Sequence, residues 1–389
     1  MSLMLDRRRF LATMGCSLAA APAVTPMAFA ALPSDKRLVV VILRGGMDGL
    51  DVLQPYGDPG LAALRPSFDI GPGAGALDLT GFHALTPHLA PLLPLWQAGQ
   101  LGFAQAVSTP YRDKRSHFDG QDILEAGTAG QVPPLSNRDG WLNRLLTTLP
   151  GAEGRTAFAI GRDEMLLLRG AADYSSWAPD AQLELAPATQ DLLLHIYHDD
   201  PLFRETAEEA LELAADSAAG PNGRKRGAEA LFAFAATQLR QDARIAALSV
   251  MGWDTHRNQP NQIKRALSRL GTGLLRLRDD LGPDWDNTVV LAMTEFGRTA
   301  AVNGTRGTDH GTGGTMILAG GALNGGQVWG DWPGLGEAAL YQRRDLMPTA
   351  DVRRYAAWAL HGMFGVDRTT LGTLIFPGLE MGADPGLLA

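Results

Sequence analysis

The chain has 389 residues, of which 45% are hydrophobic and 20% are charged, and this ordinary globular composition excludes a disordered, collagen-like or coiled-coil protein. The 42 acidic residues outnumber the 34 lysines and arginines and give a formal net charge of −8. No basic stripe is visible along the sequence, so neither nucleic acid nor an anionic membrane surface is an expected partner.

The first 30 residues have the pattern of an export signal. Paired arginines, Arg7 and Arg8, stand shortly before Phe10, a weakly hydrophobic Ala-rich stretch follows, and the segment ends in a small-x-small pattern at Ala30. This arrangement is typical of twin-arginine export. We therefore expect cleavage after Ala30, the twin-arginine translocon as a transient partner, and a periplasmic or secreted mature protein. No later apolar run reaches about 20 residues, so the mature chain is not expected to span a membrane.

The single cysteine, Cys16, lies within this signal. A mature exported chain without cysteine forms no disulfide, and its stability therefore depends on core packing. The residues before Cys16 also permit a lipoprotein interpretation, but the apolar stretch in front of it is too short to favour that alternative.

Strand and helix patterns alternate along the rest of the chain. The unbroken apolar run over 38–43 ends in glycines and predicts a strand buried on both faces, as in a parallel sheet. The further predicted elements, in chain order, are a helix over 89–98, a strand over 101–107, a helix over about 224–239, a strand over 245–250, a helix over about 262–281, strands over 288–293 and 315–319, and a helix that starts near 348–351. This order predicts an α/β three-layer sandwich with a mostly parallel central sheet.

The domain organisation follows from the same patterns. After the signal, residues 31–389 are expected to form one domain, since no linker composition interrupts them. Residues from about 129 to 221 have weaker periodicity and scattered Pro and Gly, and we interpret them as an insertion or cap that shapes a substrate pocket.

Polar residues follow several predicted strands at the edge where sites form in open α/β sheets. In chain order they are Asp48, Arg115, Ser116, His117, Asp254, His256, Glu295, Arg298, Asp309 and His310. Residues i and i+2 of an extended segment point the same way, so Asp254 and His256 are expected to bind one cation. Carboxylates and imidazoles that converge on one edge favour a divalent-metal site.

Each of these features also has a purely structural interpretation. Ser116 is a good helix N-cap, His117 can cap a helix, Glu295 can pair with Arg298, and the Asp309-His310 pair can form a turn in a Gly-rich loop. The coincidence of the clusters at one sheet edge is what favours the metal site.

These motifs together resemble the domain-of-unknown-function family 1501, a family of twin-arginine-exported proteins in the alkaline phosphatase-like superfamily. The resemblance covers nearly the whole mature chain, and its most specific segments are 44–50, 115–118 with Gln121, 252–256, 294–298 and 307–311. It implies an alkaline phosphatase-like fold and a two-metal site at which a Ser, Thr or modified Cys attacks phosphorus or sulfur. The first metal of such a site is bound by an Asp, a His of the same motif and a distant His, which here are Asp254, His256 and His310.

The second metal site implied by the resemblance departs from the family's pattern. The positions that match its usual ligands are Asp48, Ser116 and Glu295. Phe296 stands where a His is expected, which weakens this site unless Asp309 or His117 supplies the ligand. The protein is therefore expected to hold one or two divalent cations, with Zn²⁺, Mg²⁺, Mn²⁺ and Ca²⁺ left open.

The resulting hypothesis is an exported metal-dependent hydrolase that acts on a small-molecule phosphate or sulfate ester. Ser116 is the expected nucleophile, deprotonated by metal coordination beside His117, and Arg115 or Arg298 is expected to bind the non-bridging oxygens. Two cations would stabilise the attacking and leaving oxygens. The alternative, favoured by Phe296, is a non-catalytic periplasmic binding protein that retains the fold, and a metal-dependent transferase or mutase is a third possibility.

Overall fold

The structure is a computed structural model that describes residues 34–112, 114–132, 134, 138–161, 165–178 and 228–389. The predicted signal over 1–30 lies outside the described residues. The strands within them are β1 (Arg37–Arg44), β2 (Leu53–Gln54), β3 (Leu77–Asp78), β4 (Ala84–Leu85), β5 (Leu101–Ser108), β6 (Ala157–Ile160), β7 (Ser175–Trp177), β8 (Ile245–Met251), β9 (Thr288–Met293), β10 (Gly314–Ala319), β11 (Val328–Trp329) and β12 (Ala350–Asp351).

Helices lie between these strands. The α-helices are α1 (Gly49–Val52), α2 (Pro59–Leu64), α3 (Leu93–Gln97), α4 (His117–Ala126), α5 (Trp141–Thr148), α6 (Ala228–Leu239), α7 (Gln259–Leu281), α8 (Val352–Phe364) and α9 (Arg368–Thr370). Short 3₁₀ turns occur at Pro72–Ala74, Pro87–Leu92, Gly154–Thr156, Leu166–Leu168, Gly282–Asn287 and Glu337–Ala339, and a π-helical turn at Leu371–Ile375. No helix among the described residues has the length and hydrophobicity to cross a membrane.

The central sheet has the strand order β11-β5-β10-β9-β1-β8-β6-β7, with β12 also paired to β5. Strand β10 is antiparallel to both of its neighbours, whereas the other pairs are parallel. A small antiparallel sheet of β2, β4 and β3 lies apart from it. The predicted α/β class with a mostly parallel central sheet is therefore confirmed.

Strand β1 lies at the centre of the sheet, and its continuous apolar run is buried on both faces. Leu38, Val40 and Ile42 face the core that is completed by α5 and α8, while Val39 and Val41 face the core that is completed by α6 and α7. Alternate side chains of a strand point to opposite faces, so the run contributes to both layers of helices. Each such buried side chain stabilises the fold by roughly 1.5–3 kcal/mol.

The predicted helix over 89–98 forms in two pieces. Residues Pro87–Leu92 make a 3₁₀ turn and Leu93–Gln97 make the α-helix α3. Pro91 and Pro94 lack the amide hydrogen that a continuous helix needs, and this divides the segment.

The described part of the predicted insertion over about 129–221 contributes to the central sheet. Strand β6 pairs with β8 through Ala157 and Ile245, and β7 pairs with β6, so both belong to the central sheet. Trp141 and Leu145 of α5 are buried in the core. This part of the segment is thus integral to the sandwich, and residues 179–227 lie outside the described residues.

One edge of the sheet collects the loops that carry the predicted site. The carboxyl ends of β1, β5, β8 and β9 point to this edge, and β10 starts there because it runs in the opposite direction. The loops after these four strands and the loop before β10 therefore converge, as expected for sites in open α/β sheets.

Candidate metal centre

Four side chains from three of these loops meet at the sheet edge, and we refer to them as the histidine cluster: His117, Asp254, His256 and His310. The Asp254 Oδ1 atom lies 3.0 Å from His256 Nε2, 3.2 Å from His310 Nε2 and 3.5 Å from His117 Nε2. The Nε2 atoms of His256 and His310 are 2.9 Å apart. One oxygen and three ring nitrogens thus share a small volume.

The outward ring nitrogen of each histidine is held by an acceptor. These contacts are His117 Nδ1 to Glu295 Oε1 (2.7 Å), His256 Nδ1 to Asp309 Oδ1 (3.2 Å) and His310 Nδ1 to the backbone oxygen of Arg115 (2.9 Å). Carboxylate and carbonyl oxygens only accept hydrogen bonds, so each Nδ1 carries a proton and donates it. Each Nε2 therefore faces the cluster, and its orientation is fixed from behind in the way that supports metal-ligating histidines.

The inward Nε2 atoms contact one another and Asp254. His117 Nε2 is buried and has no hydrogen-bond partner. Because both Nδ1 atoms of the close His256–His310 pair are already protonated, the contact between their Nε2 atoms requires a proton or a cation between them. Three imidazoles and a carboxylate form a donor set that suits a divalent metal, and among the described residues His117, Asp254 and His310 meet the spacing of a metal site.

The ionisation of each charged group at the cluster depends on its neighbours. The carboxylates of Asp254 and Glu295 raise the pKa of His117 to about 9. Burial opposes ionisation of Asp254, yet contacts with His117, His310 and Arg298 hold its pKa far below the ordinary range. Burial likewise opposes ionisation of Glu295, and the hydrogen bond from His117 lowers the pKa of that carboxyl. Both carboxylates are therefore charged, and they attract a cation or a proton.

The loop geometry explains how His117 reaches the cluster. Ser116 is the N-cap of α4, and its hydroxyl oxygen accepts a hydrogen bond from the Asp119 amide at 3.5 Å. Arg115 before it has a φ of 54°, an unusual value for a residue with a side chain. This turn places His117 in the first position of α4, at the amino end of the helix.

Glu295 supports the cluster from behind. The side chain has no exposure to solvent, and its Oε1 accepts hydrogen bonds from the Gly45 amide (2.9 Å) and Gln121 (3.2 Å) as well as from His117. Gly45 has a φ of 120°, and a Cβ there would lie 2.7 Å from the Asp254 amide nitrogen, so only glycine permits this approach. The predicted metal ligand Glu295 thus orients His117.

Phe296, which stands where the family resemblance expects a histidine, forms an apolar wall of the cluster. The ring is buried, stacks on His117 with 5.0 Å between centroids, and lies 5.0 Å from the His310 ring. The side chain holds both imidazoles in place but offers no ligand atom.

The side chain of Arg298 is buried, with 1% of its surface exposed, and it connects several loops of the site. Its guanidinium donates to the carboxylate of Asp254 at 2.6 Å and to the backbone oxygens of Gly45, Gly46, Trp253 and Thr308. It therefore ties together the loops after β1 and β8 and the loop before β10. With these contacts made, Arg298 is not available to bind substrate oxygens as predicted.

Arg115 is also engaged. It forms an ion pair with the fully buried carboxylate of Asp345 at 2.9 Å and donates to Gln342 at 3.2 Å. Asp345 in turn accepts hydrogen bonds from Thr312 and Arg344. The side chain of Arg115 secures the loop that presents His117 and is not free for the predicted role in binding an anion.

Asp48 does not join the histidine cluster. Its carboxylate forms a double hydrogen bond with Arg65 at 2.8 and 3.1 Å, both side chains are buried, and Asp48 caps α1 through the Leu50 amide. That Asp48 binds metal stays a prediction, and in this structure Arg65 neutralises its charge. Arg65 carries no motif that could have revealed this role in the sequence.

Asp309 lies beside the cluster and orients one of its members. Its Oδ1 accepts from Asn303 at 3.0 Å and from His256 at 3.2 Å. These contacts, that of Asn303 first, lower the pKa of the Asp309 carboxyl. Asp309, which the sequence predicts to bind the metal directly, thus orients His256.

Gln259, which belongs to none of the sequence motifs, links the two loops that carry the proposed ligands. Its Oε1 accepts from the hydroxyls of Thr255 (2.9 Å) and Thr308 (2.6 Å), and its Nε2 donates to Asp48 (2.6 Å) and Asp51 (3.0 Å). The side chain is fully buried. Only its position three residues after His256 hints at this role.

Comparisons with known proteins place the chain in a family. The model of the family described as "Protein of unknown function (DUF1501)" matches residues 106–357, and the search of curated proteins found no match. The chain is similar to the lipoteichoic acid synthase LtaP from Listeria monocytogenes at 9% identity, with 94% of this chain and 81% of that chain covered and a TM-score of 0.39.

Two further solved structures are similar. One is a protein in the alkaline phosphatase superfamily from Vibrio parahaemolyticus, with 12% identity, coverage of 97% of this chain and 80% of that chain, and a TM-score of 0.37. The other is the C-terminal periplasmic domain of phosphoethanolamine transferase EptC from Campylobacter jejuni, with 10% identity, coverage of 90% and 96%, and a TM-score of 0.38.

Proposed function

This chain belongs to the DUF1501 family, and we propose that it is an exported, metal-dependent hydrolase of phosphate or sulfate esters whose centre is the histidine cluster. The observation that carries this proposal is the convergence of three Nε2 atoms, each anchored through Nδ1, on the Asp254 carboxylate. A divalent cation bound there would polarise an ester oxygen and lower the pKa of a coordinating nucleophile.

The donor set supports one cation of the zinc type. Imidazole nitrogens suit Zn²⁺ and other first-row transition metals, whereas Mg²⁺ and Ca²⁺ prefer oxygen ligands. The residues proposed for a second metal, Asp48 and Glu295, are occupied by Arg65 and His117 respectively. We therefore propose a single metal held by the histidine cluster.

Ser116 is the proposed nucleophile. It adjoins His117 and is only half-buried, and its oxygen lies at the amino end of α4, where the helix dipole stabilises negative charge. In the proposed reaction, the Ser116 oxygen bonds to phosphorus or sulfur as the bond to the alcohol breaks. The hydroxyl proton passes to the departing alkoxide, and water then releases the phosphate or sulfate and restores the serine.

Metal content and turnover test the proposal together. Protein purified without chelator is expected to contain about one equivalent of metal, which H310A and D254A lose. The matched control is H361A, since His361 lies on α8 and bonds to the Val366 carbonyl. Wild type is expected to cleave members of a panel of chromogenic phosphate and sulfate esters, and S116A is expected to bind metal without turnover. A well-folded wild type that holds no metal would contradict the proposal.

A non-catalytic metal-binding protein is the second candidate. The observation that favours it is that Arg115 and Arg298, the cations predicted to bind substrate oxygens, are both committed to structural contacts. Metal-loaded wild type that cleaves none of the esters, with H310A deficient in metal alone, would support this candidate.

A further inference from the structure

A row of basic side chains lies on the exposed face of α7. Lys264, Arg265 and Arg269 line an open groove of ≈ 640 Å³, together with Asn261 and Ser268. Residues three and four positions apart share one face of a helix, so these five side chains are neighbours. The opposite face of α7 is packed in the core through its leucines.

The two cations at the middle of this row have no acceptor within the described residues. Among the residues that the structure describes, Lys264 and Arg265 form no ion pair or hydrogen bond, and Arg269 makes one 3.4 Å contact with the Met251 backbone oxygen. His88, near Lys264, has its pKa lowered by burial and by that lysine, which favours the neutral imidazole. Further along the same helix, by contrast, Arg276 and Arg278 are paired with aspartates.

Two further exposed arginines lie near the amino end of α7. Arg257 directly follows His256, and Arg306 lies alongside because its carbonyl accepts a hydrogen bond from the Gln259 amide at 2.9 Å. Both arginine side chains are exposed, and neither has a side-chain partner within the described part of the chain. Arg269 reaches the end of β8, three residues before Asp254.

We refer to these five cations, Arg257, Lys264, Arg265, Arg269 and Arg306, as the basic surface. From Gln259 to Arg269 the helix rises about 15 Å, so the surface extends away from the cluster. Unpaired like charges repel one another, and an anion that binds between them relieves this repulsion. The whole chain has a net charge of −8. An anionic ligand is therefore attracted more strongly to this patch than to the rest of the surface.

The chemistry of these groups selects the ligand. Guanidinium groups bind tetrahedral oxyanions through paired hydrogen bonds, and lysine adds a point charge. The two cations predicted to bind the reacting ester, Arg115 and Arg298, form ion pairs with Asp345 and Asp254. Recognition of a substrate anion therefore falls to cations beyond the histidine cluster.

We propose that the basic surface binds additional phosphate or sulfate groups of the substrate, so that the preferred substrates carry several such groups. As a statement about substrates the inference rests on the proposed function, but the binding itself requires neither the metal nor turnover. The same surface binds free polyphosphate or polysulfate.

Titration calorimetry with tripolyphosphate at low salt tests this surface in the full mature protein. K264A/R265A is expected to weaken binding about tenfold, because two charge-assisted contacts are lost. R276A/R278A removes the same charge from the same helix, where the arginines are already paired, and is expected to stay within about twofold of wild type. Added salt is expected to weaken wild-type binding.

Separate outcomes bear on the surface and on the proposed function. Wild-type protein stripped of metal with a chelator is expected to bind tripolyphosphate, which keeps the test independent of metal and catalysis. The proposal is overturned if wild type does not bind the probe, or if both double variants lose affinity equally, since a general charge effect would then suffice. Should the ester panel show no turnover while K264A/R265A alone loses binding, the surface stands and the hydrolase proposal fails.

Discussion

Glu295 shows at the scale of one residue how the centre depends on groups that do not touch the proposed metal. Its carboxylate is fully buried and accepts hydrogen bonds from His117 Nδ1, the Gly45 backbone amide and the Gln121 side-chain amide. Removal of its charge leaves the shape of the pocket but weakens the hold on His117. Such supporting groups typically contribute a factor of about 10–100 in metal affinity.

We expect E295Q to bind metal about 10–100-fold more weakly than wild type. The glutamine amide keeps the volume of the side chain but replaces one carboxylate oxygen by an NH₂ group, which is a donor. If that NH₂ group takes the place of Oε1, it faces the N–H groups of His117 and Gly45, and two donors cannot form a hydrogen bond. Competition with a chromophoric chelator measures the affinity. Affinity equal to that of wild type would show that His117 does not ligate the metal.

Gln259 acts on two ligands at once, because it joins the hydroxyls of Thr255 and Thr308, which flank Asp254 and His310. We expect Q259L to lower metal affinity by about tenfold or more, since the two loops lose their common partner. The matched control is Q105L, which leaves His83 and the Gly330 carbonyl without their buried partner, remote from the cluster.

Both leucine variants are expected to lower the free energy of unfolding, because each leaves buried polar groups unpaired. Only Q259L is expected to change metal affinity. If Q105L lowers the affinity equally, Gln259 has a general structural role and does not position the ligand loops.

At the scale of elements, the contact between α6 and α7 is limited by a glycine. A Cβ at Gly273 would lie 2.3 Å from the ring of Phe232, and both residues are buried. A Cβ at Gly271, two residues earlier, would meet only the end of the Leu89 side chain at 3.3 Å. A side chain at position 273 would therefore clash with α6, whereas a methyl group at position 271 would need only a small shift of Leu89.

We expect G273V to destabilise the protein by about 1–3 kcal/mol through overpacking. G271A is expected to change the free energy of unfolding by less than about 1 kcal/mol, because alanine favours a helix and the Leu89 side chain can yield. Urea unfolding of the metal-free proteins measures both. Equal stabilities for the two variants would mean that α6 and α7 do not pack as described.

The elements differ in how far the sequence reveals them. Strand β9 forms over the predicted 288–293, because a continuous, mostly apolar run buried on both faces is typical of a central strand. Strands β6 and β7 are short and lie among Pro and Gly, and their place in the sheet depends on pairing with β8 rather than on a local pattern. The antiparallel direction of β10 likewise follows from tertiary pairing.

For the whole molecule, the sequence indicates which loops converge but not which side chains face one another. The family resemblance implies that Asp254, His256 and His310 form one ligand set. The sequence itself does not reveal that Arg65 neutralises Asp48, since the two are joined only by the fold. The sequence does not reveal the basic surface for a related reason, because Arg306 is brought beside α7 only by a contact that the fold makes, the hydrogen bond from the Gln259 amide to its carbonyl.

The charge balance of the assembled centre predicts a pH dependence. In the metal-free protein the carboxylates of Asp254 and Glu295 raise the pKa of His117 to about 9, above the unfolded value of about 6.5. The stabilisation that protonated His117 contributes is therefore complete below about pH 6.5 and is lost as the pH rises through about 9. Metal binding must displace this proton, so affinity rises with pH over the same range, by up to about tenfold per unit.

Replacement of His117 separates these effects. In H117Q, metal-free protein is expected to lose less stability between pH 6.5 and 9 than wild type, and its weaker metal affinity is expected to vary less with pH. H361A, altered on α8 away from the cluster, is expected to keep both wild-type profiles. Thermal unfolding and chelator competition at matched pH values measure the two quantities. If H117Q retains the wild-type slope of metal affinity, the displaced proton does not come from His117, and the three-histidine centre would have to be redrawn around His256 and His310.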